Sequence, residues 1–208
     1  MYKLLYLDEE SAERHKFQRV FQDDFEIDAS EPYSSVDECV DHAITENYDA
    51  VVTDFRLNEH SAVNFRGTDV VSRLLEVRIG FPVIILTGYP NGDGDDVAID
   101  HVTDANIVYD KLCLDDTKQK SLLKDVISTN IKIYKDRINK ASQRLSELVG
   151  MERLSPKDES ELLELDSFLE RSMDAESAIP NSIKAQFIEH KFDEIISLGR
   201  EILEANGK

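Results

Sequence analysis

The sequence predicts an α/β fold followed by an all-α extension, and three observations carry that prediction. Residues 1–116 alternate five short apolar runs with segments of helical periodicity. Two of those runs, Ala50-Val51-Val52 and Pro82-Val83-Ile84-Ile85-Leu86, are continuously apolar, as strands are when helices cover both faces of a parallel sheet. From Thr117 onward the pattern changes to unbroken helix.

The elements follow in order. Lys3–Leu7 reads as a strand, and Ser11–Phe21 as a helix with Phe17, Val20 and Phe21 on one side. Phe25–Ala29 is the second strand. Ser34 or Ser35 caps a helix reaching about Thr45, with Val36, Val40 and Ile44 four apart. Asp49–Thr53 is a buried strand, and a polar loop runs from Asn58 to Arg66. Gly67 opens a helix carrying Val70, Val71, Leu74 and Leu75, and Pro82–Leu86 is a central strand. Asn91–Asp96 has turn chemistry, a weak helix follows, and Asn106–Tyr109 is the fifth strand. Strands alternating with helices imply a parallel sheet, right-handed crossovers prune its topologies, and the flavodoxin-like order 2-1-3-4-5 is expected.

In such a sheet, ligands bind at the carboxyl ends of the strands. The first strand ends in Asp8-Glu9, the third in Asp54, the fourth in Thr87-Gly88, and the fifth near Lys111. Three carboxylates, a hydroxyl and an ammonium therefore converge on one edge. Clustered carboxylates repel one another unless a cation joins them. A hard cation with oxygen ligands fits, and Mg²⁺ uses one or two carboxylates while keeping several waters. An Asp beside Mg²⁺ can attack phosphorus and form an aspartyl-phosphate. The metal and Lys111 would neutralise charge on the phosphoryl group, and Thr87 would donate a hydrogen bond to it.

The blocks Leu-Tyr-Leu-Asp8-Glu9-Glu, Val-Val-Thr-Asp54-Phe-Arg-Leu, Ile-Ile-Leu-Thr87-Gly and Tyr-Asp-Lys111 resemble the signature of response-regulator receiver domains in two-component signalling. The resemblance covers residues 1–130, leaving 131–208 as a helical extension of no recognised family. It implies that Asp54 is the phosphoacceptor and that Asp8, Glu9, Asp54 and the backbone carbonyl of Arg56 bind Mg²⁺. It makes Thr87 the switch hydroxyl and Lys111 the partner of the phosphoryl group. It further implies a histidine kinase or histidine-phosphotransfer protein as donor, a cytoplasmic setting, and readout on the face of the family's fourth helix, fifth strand and fifth helix. Catalysis would be limited to the domain's own phosphoryl transfer and dephosphorylation, so no metabolic enzyme is expected.

The chain departs from that family in four places. Leu112 follows Lys111 where the family has Pro. Val108 stands where the family has a switch aromatic, with Tyr109 one place later; either a bulge lets Tyr109 serve or aromatic switching is absent. The loop after Asp54 is long, placing Thr87 33 residues beyond it. Arg56 and Tyr89, each two residues past a site residue, are bulky enough to control water access to an aspartyl-phosphate.

The tail reads as three helices. Ile127, Ile131, Tyr134, Ile138, Ala141, Leu145 and Leu148 form a heptad seam ending at Gly150. Ser155-Pro156 starts a second helix with Leu162, Leu165, Phe168 and Leu169, and Pro180-Asn181-Ser182 a third with Phe187, Ile188, Phe192 and Ile195. His190 lacks the small-residue surroundings of a phosphotransfer histidine and reads as an exposed helical residue. Residues 118–144 carry net +6 and residues 152–176 net −6, which favours antiparallel pairing of the two helices. The basic helix could instead dock an acidic surface of another protein or of the receiver, and the seam could form a homodimer. An unknown output protein completes the expected partners.

Charge and composition limit the alternatives. The chain carries −19 overall, with −17 on residues 1–116 (9 Lys and Arg against 26 Asp and Glu) and −2 on residues 117–208. So acidic a protein opposes nucleic acid, although the +6 stretch keeps a DNA-binding regulator as an alternative. A receiver-like scaffold that is never phosphorylated is another. An Asp-nucleophile phosphatase of the haloacid dehalogenase type wants a second Asp two residues after the first, and Glu10 stands there. No apolar run is long enough to span a membrane, and Cys39 and Cys113 have no metal-ligand spacing, which reads as two reduced cytosolic thiols.

Overall fold

The computed structural model describes residues 1–88, 98, 107–151 and 153–173. The turn at Asn91–Asp96, the helix after it, Tyr89, the helix from Pro180 and His190 lie outside the described residues. The chain divides into two compact units, Met1–Arg137 and a second beginning at Ile138.

The first unit is built on a five-stranded sheet: β1 (Tyr2–Leu7), β2 (Phe25–Ser30), β3 (Ala50–Asp54), β4 (Val83–Thr87) and β5 (Val108–Asp110). The strand order is β2-β1-β3-β4-β5, all parallel. The flavodoxin-like order expected from the sequence is the one observed. Helices α1 (Ser11–Phe21), α2 (Val36–Thr45) and α3 (Gly67–Val77) follow the first three strands. A 3-10 turn at Lys111–Leu114 leads into α4 (Thr117–Val149), and α5 (Pro156–Met173) follows.

Every residue of β3 and β4 is buried. Alternate residues feed two cores, one on each face of the sheet. Leu5, Leu7, Val51, Val83 and Ile85 join the α2 and α3 residues Cys39, Val40, Val70 and Leu74 on one face. Leu4, Tyr6, Val52, Ile84 and Leu86 join Phe17 and Phe21 of α1 and Leu123, Ile127 and Ile131 of α4 on the other. The continuous apolar runs in the sequence have this double coverage as their cause. Both cysteines are buried free thiols, and burial pushes each up to about 11.

Local signals set the helix starts. Ser35, one of the two caps expected, accepts from Glu38 N at 3.1 Å. Asp69 reaches back to Arg66 N at 2.8 Å, and the α3 start must be a glycine for a reason given below. Four strands end one residue later than the sequence reading: β2 runs on to Ser30, β3 to Asp54, β4 to Thr87 and β5 to Asp110. Each extra residue pairs at the carboxyl edge, in the registers Leu7↔Ser30, Asp54↔Leu86 and Thr87↔Asp110. β1 begins one residue earlier, at Tyr2, while β3, β4 and β5 begin one or two residues later, at Ala50, Val83 and Val108.

The basic face of α4 meets acidic groups of the first unit, with Lys124 3.2 Å from Asp24 and Lys135 2.5 Å from Asp49. Tyr134 packs edge-on against Phe81 at 5.7 Å. In the second unit, Ala141 and Leu148 of the seam are buried. Arg144 forms two hydrogen bonds of 2.8 Å to the Glu161 carboxylate of α5, so the opposite charges of the two helices do meet. Ser155 and Asp158 cap α5 reciprocally, at 3.1 and 3.3 Å. Among the described residues no helix is long and apolar enough to cross a membrane.

Candidate functional site

The parallel register brings the ends of β1, β3, β4 and β5 to one edge. Asp8 directly follows β1 and is fully buried. Its Oδ1 accepts from Glu10 N at 2.9 Å. Its Oδ2 accepts from the Tyr6 hydroxyl at 2.5 Å and lies 2.9 Å from Lys111 Nζ. Asp54 closes β3 at 4% exposure; its Oδ1 lies 2.7 Å from Lys111 Nζ, and its Oδ2 accepts from Arg56 N at 2.5 Å. Lys111, just past β5, thus bridges two buried carboxylates from two different strands. Thr87 ends β4, one strand away from Asp54, and is buried.

Glu9 completes the acidic group differently. It is half-buried, and its Oε2 is buried with no hydrogen-bond partner. Burial pushes its carboxyl up to about 7, the nearby Asp54 and Asp8 charges add to this, and Lys111 opposes it. Burial likewise raises Asp54 above the usual carboxylate range, against the pull of Lys111. Burial disfavours the Lys111 ammonium, but Asp54 and Asp8 outweigh it and hold its pKa above the ordinary value. Three carboxylates against one ammonium leave an excess of negative charge in a poorly solvated corner.

That donor set tests the expected magnesium. All its atoms are hard oxygens, which suits Mg²⁺, and the orphaned Glu9 Oε2 is a ligand atom without another occupation. The Arg56 carbonyl accepts a turn hydrogen bond from Glu59 N at 3.1 Å, and a carbonyl oxygen carries two lone pairs. Among the described residues no three acidic, His or Cys side chains already converge as a metal-binding group, and Lys111 stands between Asp8 and Asp54. The chemistry of the residues fits the ion.

Two contributors escaped the sequence reading. Tyr6 sits two residues before Asp8, so strand periodicity puts both side chains on one face; a phenol within an apolar strand was the available signal. Gly67 is the other. A Cβ at this position would lie 1.9 Å from the Asp54 carbonyl oxygen and 2.8 Å from Thr53 Oγ1. Its N–H donates to Phe55 O at 2.9 Å. The start of α3 thus presses on the backbone of Asp54, and only glycine fits there.

The departures noted in the sequence take definite form. Lys111-Leu112 is a trans peptide. β5 pairs regularly with β4, in the register Ile85↔Val108 and Leu86↔Tyr109, with no bulge. Val108 packs with the α2–α3 core and Tyr109 with the α1–α4 core. Tyr109 therefore occupies the opposite face of the sheet from Val108, and the bulge that would let it replace the switch aromatic is absent. The Arg56 guanidinium pairs with Glu59 at 2.7 Å.

No family model matches the chain, and no curated protein matches it. Solved structures do. One is a response regulator receiver domain protein from Clostridium thermocellum, 25% identical, with a TM-score of 0.48 over 65% of this chain and 98% of that one. Another is a histidine kinase in complex with a response regulator, 21% identical, with a TM-score of 0.43 over 60% of this chain and 98% of that one. A third is the N-terminal domain of a response regulator/sensory box/GGDEF protein from Carboxydothermus hydrogenoformans, 14% identical, with a TM-score of 0.43 over 65% of this chain and 98% of that one. The first unit has the flavodoxin-like strand order β2-β1-β3-β4-β5.

Proposed function

We propose that this protein is a response regulator that accepts a phosphoryl group on Asp54 and signals through protein–protein contacts of its receiver and helical tail. The observation that carries the reading is the bridge made by Lys111 between Asp54 and Asp8, at the carboxyl edge of a parallel sheet. A buried carboxylate in that position, whose charged form a neighbouring cation favours against the effect of burial, can act as a nucleophile. One carboxylate oxygen of Asp54 attacks phosphorus, and the bond from phosphorus to the donor breaks. With a phosphohistidine donor this is a P–N bond, and the departing imidazole keeps the electron pair. The product is a mixed anhydride on Asp54. Lys111, already 2.7 Å from Asp54 Oδ1, is placed to follow the new negative charge. Thr87, from the next strand end, supplies a hydroxyl.

Asp8, Glu9, Asp54 and the Arg56 carbonyl are the residues to hold Mg²⁺, which when bound supplies charge neutralisation for the transferring group. The donor is a histidine kinase or a phosphotransfer protein, and the output partner is another protein. Catalysis is confined to the chain's own phosphorylation and hydrolysis. Arg56, whose guanidinium pairs with Glu59 in the loop after β3, would limit water at the acyl phosphate.

The test is chemical. Protein incubated with phosphoramidate and Mg²⁺ acquires a phosphoryl group that neutral hydroxylamine removes, as it removes acyl phosphates and not phosphoserine or phosphothreonine. A label stable to hydroxylamine contradicts the reading.

A further inference from the structure

We propose that Tyr6 is a positioning residue for the acidic site: its hydroxyl holds the Asp8 carboxylate in its cation-binding orientation independently of Lys111. The proposal rests on the phosphoacceptor reading of Asp54 and deepens it.

The phenol is fixed from behind. Tyr6 is fully buried, and its ring stacks on Phe17 at 4.2 Å with 20° between the planes. Phe17 in turn meets Phe21 edge-on at 5.0 Å. A phenylalanine would serve that packing equally well. The hydroxyl is costly in such a core unless it is bonded, and it donates to Asp8 Oδ2, at 2.5 Å.

The donors around Asp8 divide into two kinds. Glu10 N holds Oδ1 from the turn into α1, and Tyr6 holds Oδ2 from the core. Both are rigid with respect to β1. Lys111 is the third donor, also on Oδ2, and it comes from another strand end on a flexible stem while sharing itself with Asp54. When Lys111 turns to a phosphoryl group, Asp8 loses one partner but not its orientation. Without the Tyr6 hydroxyl, Oδ2 would depend on Lys111 alone, and the carboxylate would be free to rotate once the lysine left. Hydrogen bonds to metal-ligating groups are worth about 10–100-fold in metal affinity, so about a tenfold loss is expected here.

The experiment uses the full chain with Mn²⁺ as a paramagnetic probe, its free signal followed by electron paramagnetic resonance. Wild type binds Mn²⁺ with an affinity that Asp54→Asn weakens, and Tyr6→Phe weakens it about tenfold while leaving the circular dichroism spectrum unchanged. In parallel, wild type carrying ¹³Cζ-labelled tyrosine shows the Tyr6 resonance moving as Mg²⁺ saturates the site. Folded Tyr6→Phe that binds Mn²⁺ as wild type does overturns the proposal, and the hydroxyl is then merely satisfied in the core. If Tyr6→Phe fails to fold, the ¹³Cζ resonance decides: a resonance indifferent to Mg²⁺ overturns the role of Tyr6. Wild type that binds no Mn²⁺, or binds it independently of Asp54, overturns the phosphoacceptor reading and the Tyr6 role with it.

Discussion

Replacing Lys111 by Met should destabilise the first unit in the absence of divalent cations and make it more dependent on Mg²⁺. Met keeps the length and the apolar stem of the side chain and removes only the charge. The ammonium lies 2.7 Å from Asp54 Oδ1 and 2.9 Å from Asp8 Oδ2, and the Lys111 side chain is 15% exposed. At an effective dielectric near 20, each contact is worth about 6 kcal/mol of gross attraction. Desolvation of the three charges cancels much of this. Removing one partner of a buried ion pair costs about 3–5 kcal/mol, because the remaining charge is left without compensation. Taking the lower figure, the melting temperature should fall by about 10 °C in EDTA. All seven tyrosines precede residue 138, and the chain has no tryptophan. Tyrosine fluorescence therefore reports the first unit without the second. Mg²⁺ restores positive charge among the three carboxylates, so it should raise the melting temperature of Lys111→Met more than that of wild type. A variant melting within about 2 °C of wild type in EDTA, or one that gains less from Mg²⁺ than wild type, would refute the electrostatic account of the site.

Two further predictions concern its walls and its titration. Gly67→Ala would bring a Cβ to 1.9 Å from the Asp54 carbonyl oxygen, so α3 or the end of β3 must shift. Overpacking of this kind costs about 1–3 kcal/mol or more, and both the denaturation midpoint and the rate of phosphorylation should fall; an alanine variant matching wild type in both would contradict the packing described. Glu9 has its carboxyl raised to about 7 in the folded protein, against an ordinary value of 4.5. The folded state therefore binds that proton more tightly, and the stability it contributes is complete below about pH 4.5 and lost as pH rises through 7. Metal-free protein should lose stability between pH 5 and 7.5, Mg²⁺ should stabilise more at pH 7.5 than at pH 5.5, and Glu9→Gln should flatten both trends. Equal Mg²⁺ effects at the two pH values would count against it.

Much of this was legible in the sequence because the controlling signals are local. Unbroken apolar runs marked β3 and β4, and the residue after each strand run marked the edge where Asp8, Asp54 and Lys111 meet. What was not legible depends on atoms distant in the chain. The strand limits moved by a residue or two because pairing at the carboxyl edge, not composition, decides where β3 ends. Gly67 looked like an ordinary helix start, and its necessity appears only when α3 is laid against the Asp54 carbonyl. Tyr6 looked like one more core aromatic, and its hydroxyl acquires meaning only beside Asp8. The choice left open for Tyr109 turned on whether β5 carries a bulge; the regular register places the ring on the α1–α4 side. The heptad seam of α4 has two environments that periodicity alone does not separate: Ile127 and Ile131 pack on the sheet, and Ala141 and Leu148 are buried in the second unit.

The most direct test of the central claim is intact mass spectrometry after incubation with acetyl phosphate and Mg²⁺, on wild type and Asp54→Ala. The account predicts one added phosphoryl group on wild type and none on the variant. Modification of both proteins alike, or of neither under several phosphoryl donors, would contradict it.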